Sequence, residues 1–174
     1  MMLIPNVLSL IIKVQKEQPD IDFIFCDYTN PLYSEKLVEL LNHYMADPMG
    51  GCSPLSNEKA GQLVNGLAAH PSSFVLFVSY NKAIAGLATC FINFSTFKVS
   101  PYINVHDIVI QDKYRGKGLG KALLQNIIAI AAERDYCKVT LEVRDDNIIA
   151  KALYKELGFA DTEPVMHFWT KSLH

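Results

Sequence analysis

The stretch Tyr114-Arg115-Gly116-Lys117-Gly118-Leu119-Gly120-Lys121 constrains this chain more than any other. Its three alternating glycines separate an apolar run, Ile108-Val109-Ile110, from a helically spaced set of Leu119, Ala122, Leu123, Ile127 and Ile130. That pattern specifies a strand, a glycine turn and a helix. Every glycine held in place costs backbone entropy, so three in a row of six residues point to a required backbone conformation. Such a turn aims its N–H groups at one point, and the positive end of the helix adds to them. The product is a site for a phosphate.

The glycine spacing excludes two nucleotide fingerprints. A P-loop requires G-x-x-x-x-G-K-[ST], but Arg115 and Ala122 stand where the first glycine and the hydroxyl should be. A dinucleotide fingerprint requires G-x-G-x-x-G, but its third glycine falls on Lys121 or Leu123. What remains is R-G-x-G-x-G entering a helix, with Lys113, Arg115, Lys117 and Lys121 around it.

The 174 residues suit one domain with a full core, and half of them are hydrophobic. The formal net charge of −2 argues against a nucleic-acid or membrane-surface partner. A cation cluster on a mildly acidic chain points to a small anionic ligand instead. Cys26, Cys52, Cys90 and Cys137 are far apart and show no metal-binding spacing. The expectation is a reduced, cytoplasmic protein without a metal, with Cys90 and Cys137 in the core. Residues 1–14 are apolar and 7–12 could pass for a short h-region, but no Lys or Arg stands before it and no small-x-small site follows. Residues 1–20 read as an amphipathic lead-in segment, and 21–174 as the domain.

A strand is expected at 21–25. Asn30-Pro31 opens a helix carrying Leu37, Leu40, Leu41 and Tyr44, which the segment 47–51 breaks. Ser56 caps a second helix running to His70-Pro71. Strands at 74–80 and 83–93 flank Asn81-Lys82, a two-residue hairpin turn. A loop at 95–101 leads to a strand at 102–110. The glycine turn and its helix follow, ending near Arg134. Residues 138–144 alternate as a strand, Asn147 opens a helix that Gly158 closes, and 165–169 form a last strand. The order is β-α-α-β-β-β-α-β-α-β, an α/β (α+β) domain.

Two segments resemble a known family. Residues 108–120, I-V-I-Q-D-K-Y-R-G-K-G-L-G, resemble the acetyl-CoA-binding segment of the GNAT superfamily of N-acetyltransferases. Residues 141–159, with L-E-V-R, then Asn147, Ala150, Leu153-Tyr154 and Gly158-Phe159, resemble its second signature segment. The resemblance implies a mixed central sheet of about six to seven strands with helices on both faces. It implies acetyl-CoA as cosubstrate, no metal, and direct attack by a primary amine.

The resemblance also implies roles. Backbone N–H groups of Gly116, Lys117, Gly118, Leu119 and Gly120, with Arg115 and Lys121, are expected on the coenzyme A pyrophosphate. Ile108, Val109 and Ile110 are expected to pair with the pantetheine arm and to aim an N–H at the thioester oxygen. Asn147 is expected on the same arm while capping its helix. Tyr154 is the expected general acid. Three groups compete as general base. Glu142 stands twelve residues before Tyr154, the spacing of the ribosomal-protein alanine acetyltransferases. Asp107 shares a strand face with Val105 and Val109, unless a bulge flips the faces. His106 occupies the place where polyamine acetyltransferases carry a glutamate. Asp112 replaces a proline common in relatives.

The acceptor pocket is expected from 44–55 and 94–100, with Asp47 as a cation contact; an open groove would favour a peptide, and a closed pocket lined by Met49 and Phe97 a metabolite. The expected partner is a small-molecule amine, and the expected state a monomer or homodimer. Acetylation of protein N-termini or lysines, or a catalytically inactive coenzyme A-binding sensor, are the alternatives.

Overall fold

Capping residues fix the helix ends in the computed structural model, which describes residues 19–173. Helix α1 spans Pro31–Ala46, with Asn30 Oδ1 accepting from Leu32 N and Pro31 in the first turn. Helix α2 spans Asn57–Ala69 and is capped by Ser56, whose Oγ accepts from Lys59 N. Helix α3 spans Leu119–Glu133 behind Gly118, which adopts a left-handed conformation. Helix α4 spans Ile148–Glu156, capped by Asn147. The lead-in segment read over 1–20 falls, but for its last two residues, outside the described chain.

The strands are β1 (Phe23–Phe25), β2 (Ser73–Tyr80), β3 (Ala83–Ser95), β4 (Ser100–Ile110) and β5 (Val139–Leu141). They form one sheet in sequence order. Pairs β1–β2, β2–β3 and β3–β4 are antiparallel, and β5 runs parallel to β4. Asn81 and Lys82 both take positive φ (49° and 67°), as a tight β2–β3 hairpin requires. Helices cover both faces. Leu119, Leu123, Leu124 and Ile127 of α3 and Tyr154 of α4 pack with Leu76, Val78, Ile103 and Val105. On the other face Leu37, Leu40 and Leu41 of α1 and Leu67 of α2 pack on Val75, Phe77, Leu87 and Val109. Each such fully buried side chain contributes about 1.5–3 kcal/mol.

Five expectations need correction. Among the described residues the sheet has five strands, not six or seven. Residues 165–169 form no strand, and Val165, Met166, Phe168 and Trp169 are exposed. Pro164 denies this segment an N–H at its start, and the three residues of β5 offer a short ladder to join. The strand expected over 138–144 ends at Leu141, where the chain turns into the Arg144–Asp146 ion pair (2.8 Å) and the α4 cap. The loop expected at 95–101 narrows to a turn over 96–99, because β3 and β4 stay paired out to Ser95 and Ser100. Cys137 is exposed in the α3–β5 connection, whereas Cys90 is buried.

Candidate active site

The register of β3 on β4 slips by one residue at a single place. Thr89 pairs with Asp107, but Cys90 pairs with Val105, so His106 is the extra residue of a β-bulge. The bulge reverses which side chains face which layer. Ile103 and Val105 enter the α3/α4 core, while Val109 enters the α1/α2 core. Asp107 therefore shares a face with Val109 and not with Val105, as an unbulged strand would have had it.

On that face lies a cleft of about 380 Å³. Leu41, Tyr44 and Met45 of α1 form one wall, and Leu63 and Leu67 of α2 another. Gly50 and Cys52 come from the loop between them. Thr89 and Phe91 of β3 and His106 and Asp107 of β4 make the floor. Gly50 is a required glycine here, since a Cβ would lie 2.0 Å from the Tyr44 carbonyl oxygen. Burial pushes the Asp107 carboxyl above the usual range, offset in part by His106 and Thr89. The Thr89 hydroxyl is buried without a partner of good hydrogen-bond geometry. His106 stands edge-on to Phe91, with ring centroids 5.6 Å apart.

Beyond the bulge the sheet opens. The last pairs between β4 and β5 are Asn104 with Thr140 and Val105 with Leu141, after which β5 ends. Ile108, Val109 and Ile110 continue paired to β3 alone, through Ala88, Leu87 and Gly86. Tyr154 of α4 and Tyr44 of α1 pack in the cores on opposite faces of the sheet. Burial pushes the Tyr154 hydroxyl up to about 12, and the nearby Tyr44 adds to the rise. Burial also raises Tyr44, with the charges of Asp107 and Asp47 adding to it.

The glycine turn lies at the end of the same strand, after one 3-10 turn over Asp112–Tyr114. Gly116 and Gly118 take φ of 74° and 78°, a region that side chains rarely adopt. A Cβ at either position would meet nothing within 4 Å, so the space beside both is open. Among the described residues, the N–H groups of Gly116, Lys117, Gly118, Leu119, Gly120 and Lys121 find no protein acceptor, and Ala122 makes the first helical bond, to Gly118. Unpartnered N–H groups, an open concavity and a helix start fit a phosphate or pyrophosphate.

Not every residue singled out from the sequence points where expected. The Arg115 guanidinium contacts Asp47 Oδ2 (2.9 Å), Asp112 Oδ1 (3.0 Å) and the Ile110 carbonyl oxygen (3.1 Å). Lys121 pairs with Glu156, and Lys117 lies over the Tyr80 ring. Asn147 Oδ1 accepts from Ala150 N, capping α4. Glu142 is exposed past the end of β5, accepts from Asn104 Nδ2 (3.2 Å) and lies outside the cleft lining. Phe97 is fully exposed at the hairpin tip, and neither it nor Met49 lines the cleft, which corrects the pocket expected from 94–100. Tyr44, Met45, Gly50 and Cys52 fall within the expected 44–55, whereas Thr89 and Phe91 line the cleft without having been singled out for a site role. Their only signal in the sequence is hydrophobic periodicity, which reads them as core.

Among the described residues no cluster of His, Cys, Asp and Glu suits a metal, and no helix is long and apolar enough to cross a membrane.

Known proteins resemble this chain in sequence and in fold. Over 78 residues the chain is 31% identical to a thialysine N-epsilon-acetyltransferase of Bos taurus, covering 45% of each chain. Over 53 residues it is 42% identical to the ribosomal protein bS18-alanine N-acetyltransferase of Escherichia coli K12, covering 30% of this chain and 36% of that one. These matches span less than half the length of the curated relatives. A crystal structure of a probable acetyltransferase superposes with a TM-score of 0.76 at 15% identity, covering 88% of this chain and 99% of the other, a likeness of fold. Residues 35–159 match the profile of the acetyltransferase (GNAT) family, and the chain belongs to that family.

Proposed function

We propose that this protein transfers the acetyl group of acetyl-CoA to the primary amine of a small molecule by direct attack. The observation that carries this reading is the layout of β4. One strand presents Asp107 to the cleft, leaves the edge of Ile108, Val109 and Ile110 unpaired by β5, and leads through one 3-10 turn into the open glycine turn.

The N–H groups of Gly116, Lys117, Gly118, Leu119 and Gly120 hold the pyrophosphate. The open edge of β4 takes the pantetheine arm as a short added strand, which leads the thioester to the gap between Tyr44 and Tyr154. A backbone N–H of that edge stabilises the oxyanion. The amine enters as an ammonium and must lose a proton before attack. Asp107, with its carboxyl raised by burial, accepts it directly or through water. His106 beside it favours the charged carboxylate. The amine nitrogen then forms its bond to the acetyl carbon. The C–S bond breaks, and the departing thiolate takes its proton from Tyr154. Its hydroxyl, pushed up to about 12 by burial, is protonated at neutral pH, and the departing thiolate draws on it as a weak acid. The surplus proton of the product nitrogen leaves to solvent.

Calorimetry and a thiol-release assay test the reading. Wild type binds coenzyme A and releases thiol when acetyl-CoA and an amine are both present. Gly118→Val fills the open concavity and abolishes binding. Normal binding by that variant would remove the turn from the cofactor site. Binding without turnover on any amine would identify a sensor instead.

A further inference from the structure

We infer that the acceptor is a monoamine carried on an apolar or aromatic body, and not a polycation. This inference rests on the acetyltransferase reading and names the substrate class of the same cleft.

Charge inside the cleft carries the first half. Asp107 is the one carboxylate among its lining residues. Carboxylates outside the lining are already engaged. Asp47 accepts from Arg115 and from Met49 N. Asp112 faces Arg115 and His43. Glu142 accepts from the Asn104 amide outside the lining. Asp146 is paired with Arg144 at 2.8 Å. A single ammonium finds a partner in Asp107. A second or third one would be desolvated without a partner, at a cost that binding does not recover.

The walls carry the second half. Leu63, Leu67, Met45 and Phe91 offer apolar surface, and Phe91 offers a ring face or edge. Such a lining gains affinity from each buried methylene or ring of the acceptor. It leaves the hydroxyls and extra amines of a sugar-based or polyamine acceptor unpaired. At about 380 Å³ the space lies near the small end of ligand cavities.

A competition among amines tests this. 2-Phenylethylamine, tryptamine, hexylamine, spermidine, kanamycin, lysine and a peptide with a free N-terminus are each assayed for thiol release with acetyl-CoA. The apolar monoamines should show kcat/KM at least tenfold above spermidine, kanamycin and lysine. Equal or better turnover of the polycations overturns the inference while leaving the acetyltransferase reading intact. Turnover of the peptide alone does the same. Acetyl-CoA binding without turnover on any of them overturns both. Cys52→Asp supplies a second test, because Cys52 is exposed and lines the cleft. An added carboxylate there should raise spermidine turnover relative to 2-phenylethylamine. An unchanged ratio would show that the charge of the cleft does not set the preference.

Discussion

Arg115, in the glycine turn, donates from Nη2 to Asp47 Oδ2 at 2.9 Å and so ties the proposed donor site to the loop that ends α1. Asp47 is held on both sides, since its Oδ1 accepts from Met49 N at 2.8 Å. The Met49 N–H, followed by Arg115, keeps its carboxyl below the usual range. Arg115 Nη1 also reaches Asp112, which lies 3.2 Å from His43 of α1. Two loops far apart in sequence are thus joined through one guanidinium.

Arg115→Ala should therefore act more on the acceptor than on the donor. The pair is half-exposed, so its loss costs about 1 kcal/mol or less in stability. Freed from Arg115, the loop carrying Gly50 and Cys52 loses its position, and the amine KM should rise several-fold. Arg115→Lys should not rescue it, because an ammonium cannot span Asp47, Asp112 and the Ile110 carbonyl at once. Steady-state kinetics against amine, beside calorimetry with coenzyme A, separates the effects. A collapse of coenzyme A affinity with unchanged amine KM would place Arg115 on the pyrophosphate instead.

Asp107→Asn should make the protein more stable and less active. Burial raises the Asp107 carboxyl. The folded form then holds its proton to higher pH than the unfolded chain does, whose carboxyl titrates near 3.9. Stability falls as pH rises through that window and stays lower above it. Asparagine removes this loss. The variant should unfold at higher denaturant than wild type at pH 7, with the advantage shrinking below about pH 4. Its kcat should drop by a factor on the order of 10² or more. Glu142→Gln, outside the cleft lining, should change kcat far less. A larger loss for Glu142→Gln would move the base to that residue.

Local chemistry made much of this fold legible, and long-range packing hid the rest. Asn30-Pro31, Ser56, Asn81-Lys82, Asn147 and Gly158 each act through their own backbone neighbourhood, and each marks an element boundary in the structure. The glycine turn is legible for the same reason. The face of Asp107 is not, because the bulge at His106 arises between two strands and leaves no mark in β4 alone. Tyr44 looks like one more apolar position of α1, and only packing brings it beside Asp107 and Tyr154. The segment 165–169 shows the converse. It reads as a strand by composition, yet in the structure no strand edge pairs with it.

Tyr154→Phe should separate catalysis from binding. Tyr154 is 8% exposed and packs in the α3/α4 core against Phe159, with ring centroids 6.0 Å apart. Phenylalanine keeps that packing and removes only the hydroxyl. Stability and coenzyme A affinity should stay near wild type, while kcat falls by a factor of roughly 10²–10⁴. An amide-forming rate equal to wild type across pH would exclude Tyr154 as the acid.

Gly86→Ala should damage the proposed pantetheine edge without touching any ligand. Gly86 pairs with Ile110 across β3 and β4. A Cβ there would stand 2.4 Å from both the Val109 carbonyl oxygen and Ile110 Cδ1. The Ile110 side chain is able to rotate away, but the Val109 carbonyl belongs to the strand. Relief of the overlap must push β4 outward, at a cost of about 1–3 kcal/mol. The displaced segment carries Val109 and Ile110, and it leads directly into the glycine turn. Coenzyme A affinity should fall together with the melting temperature. Gly118→Ala gives the contrast, because its added Cβ meets no protein atom within 4 Å. Its left-handed φ of 78° costs about 1–2 kcal/mol with a side chain. Coenzyme A affinity should then fall by more than that stability loss accounts for. If Gly86→Ala bound coenzyme A as wild type does while melting earlier, the edge of β4 would be structural scaffolding and the pantetheine arm would lie elsewhere.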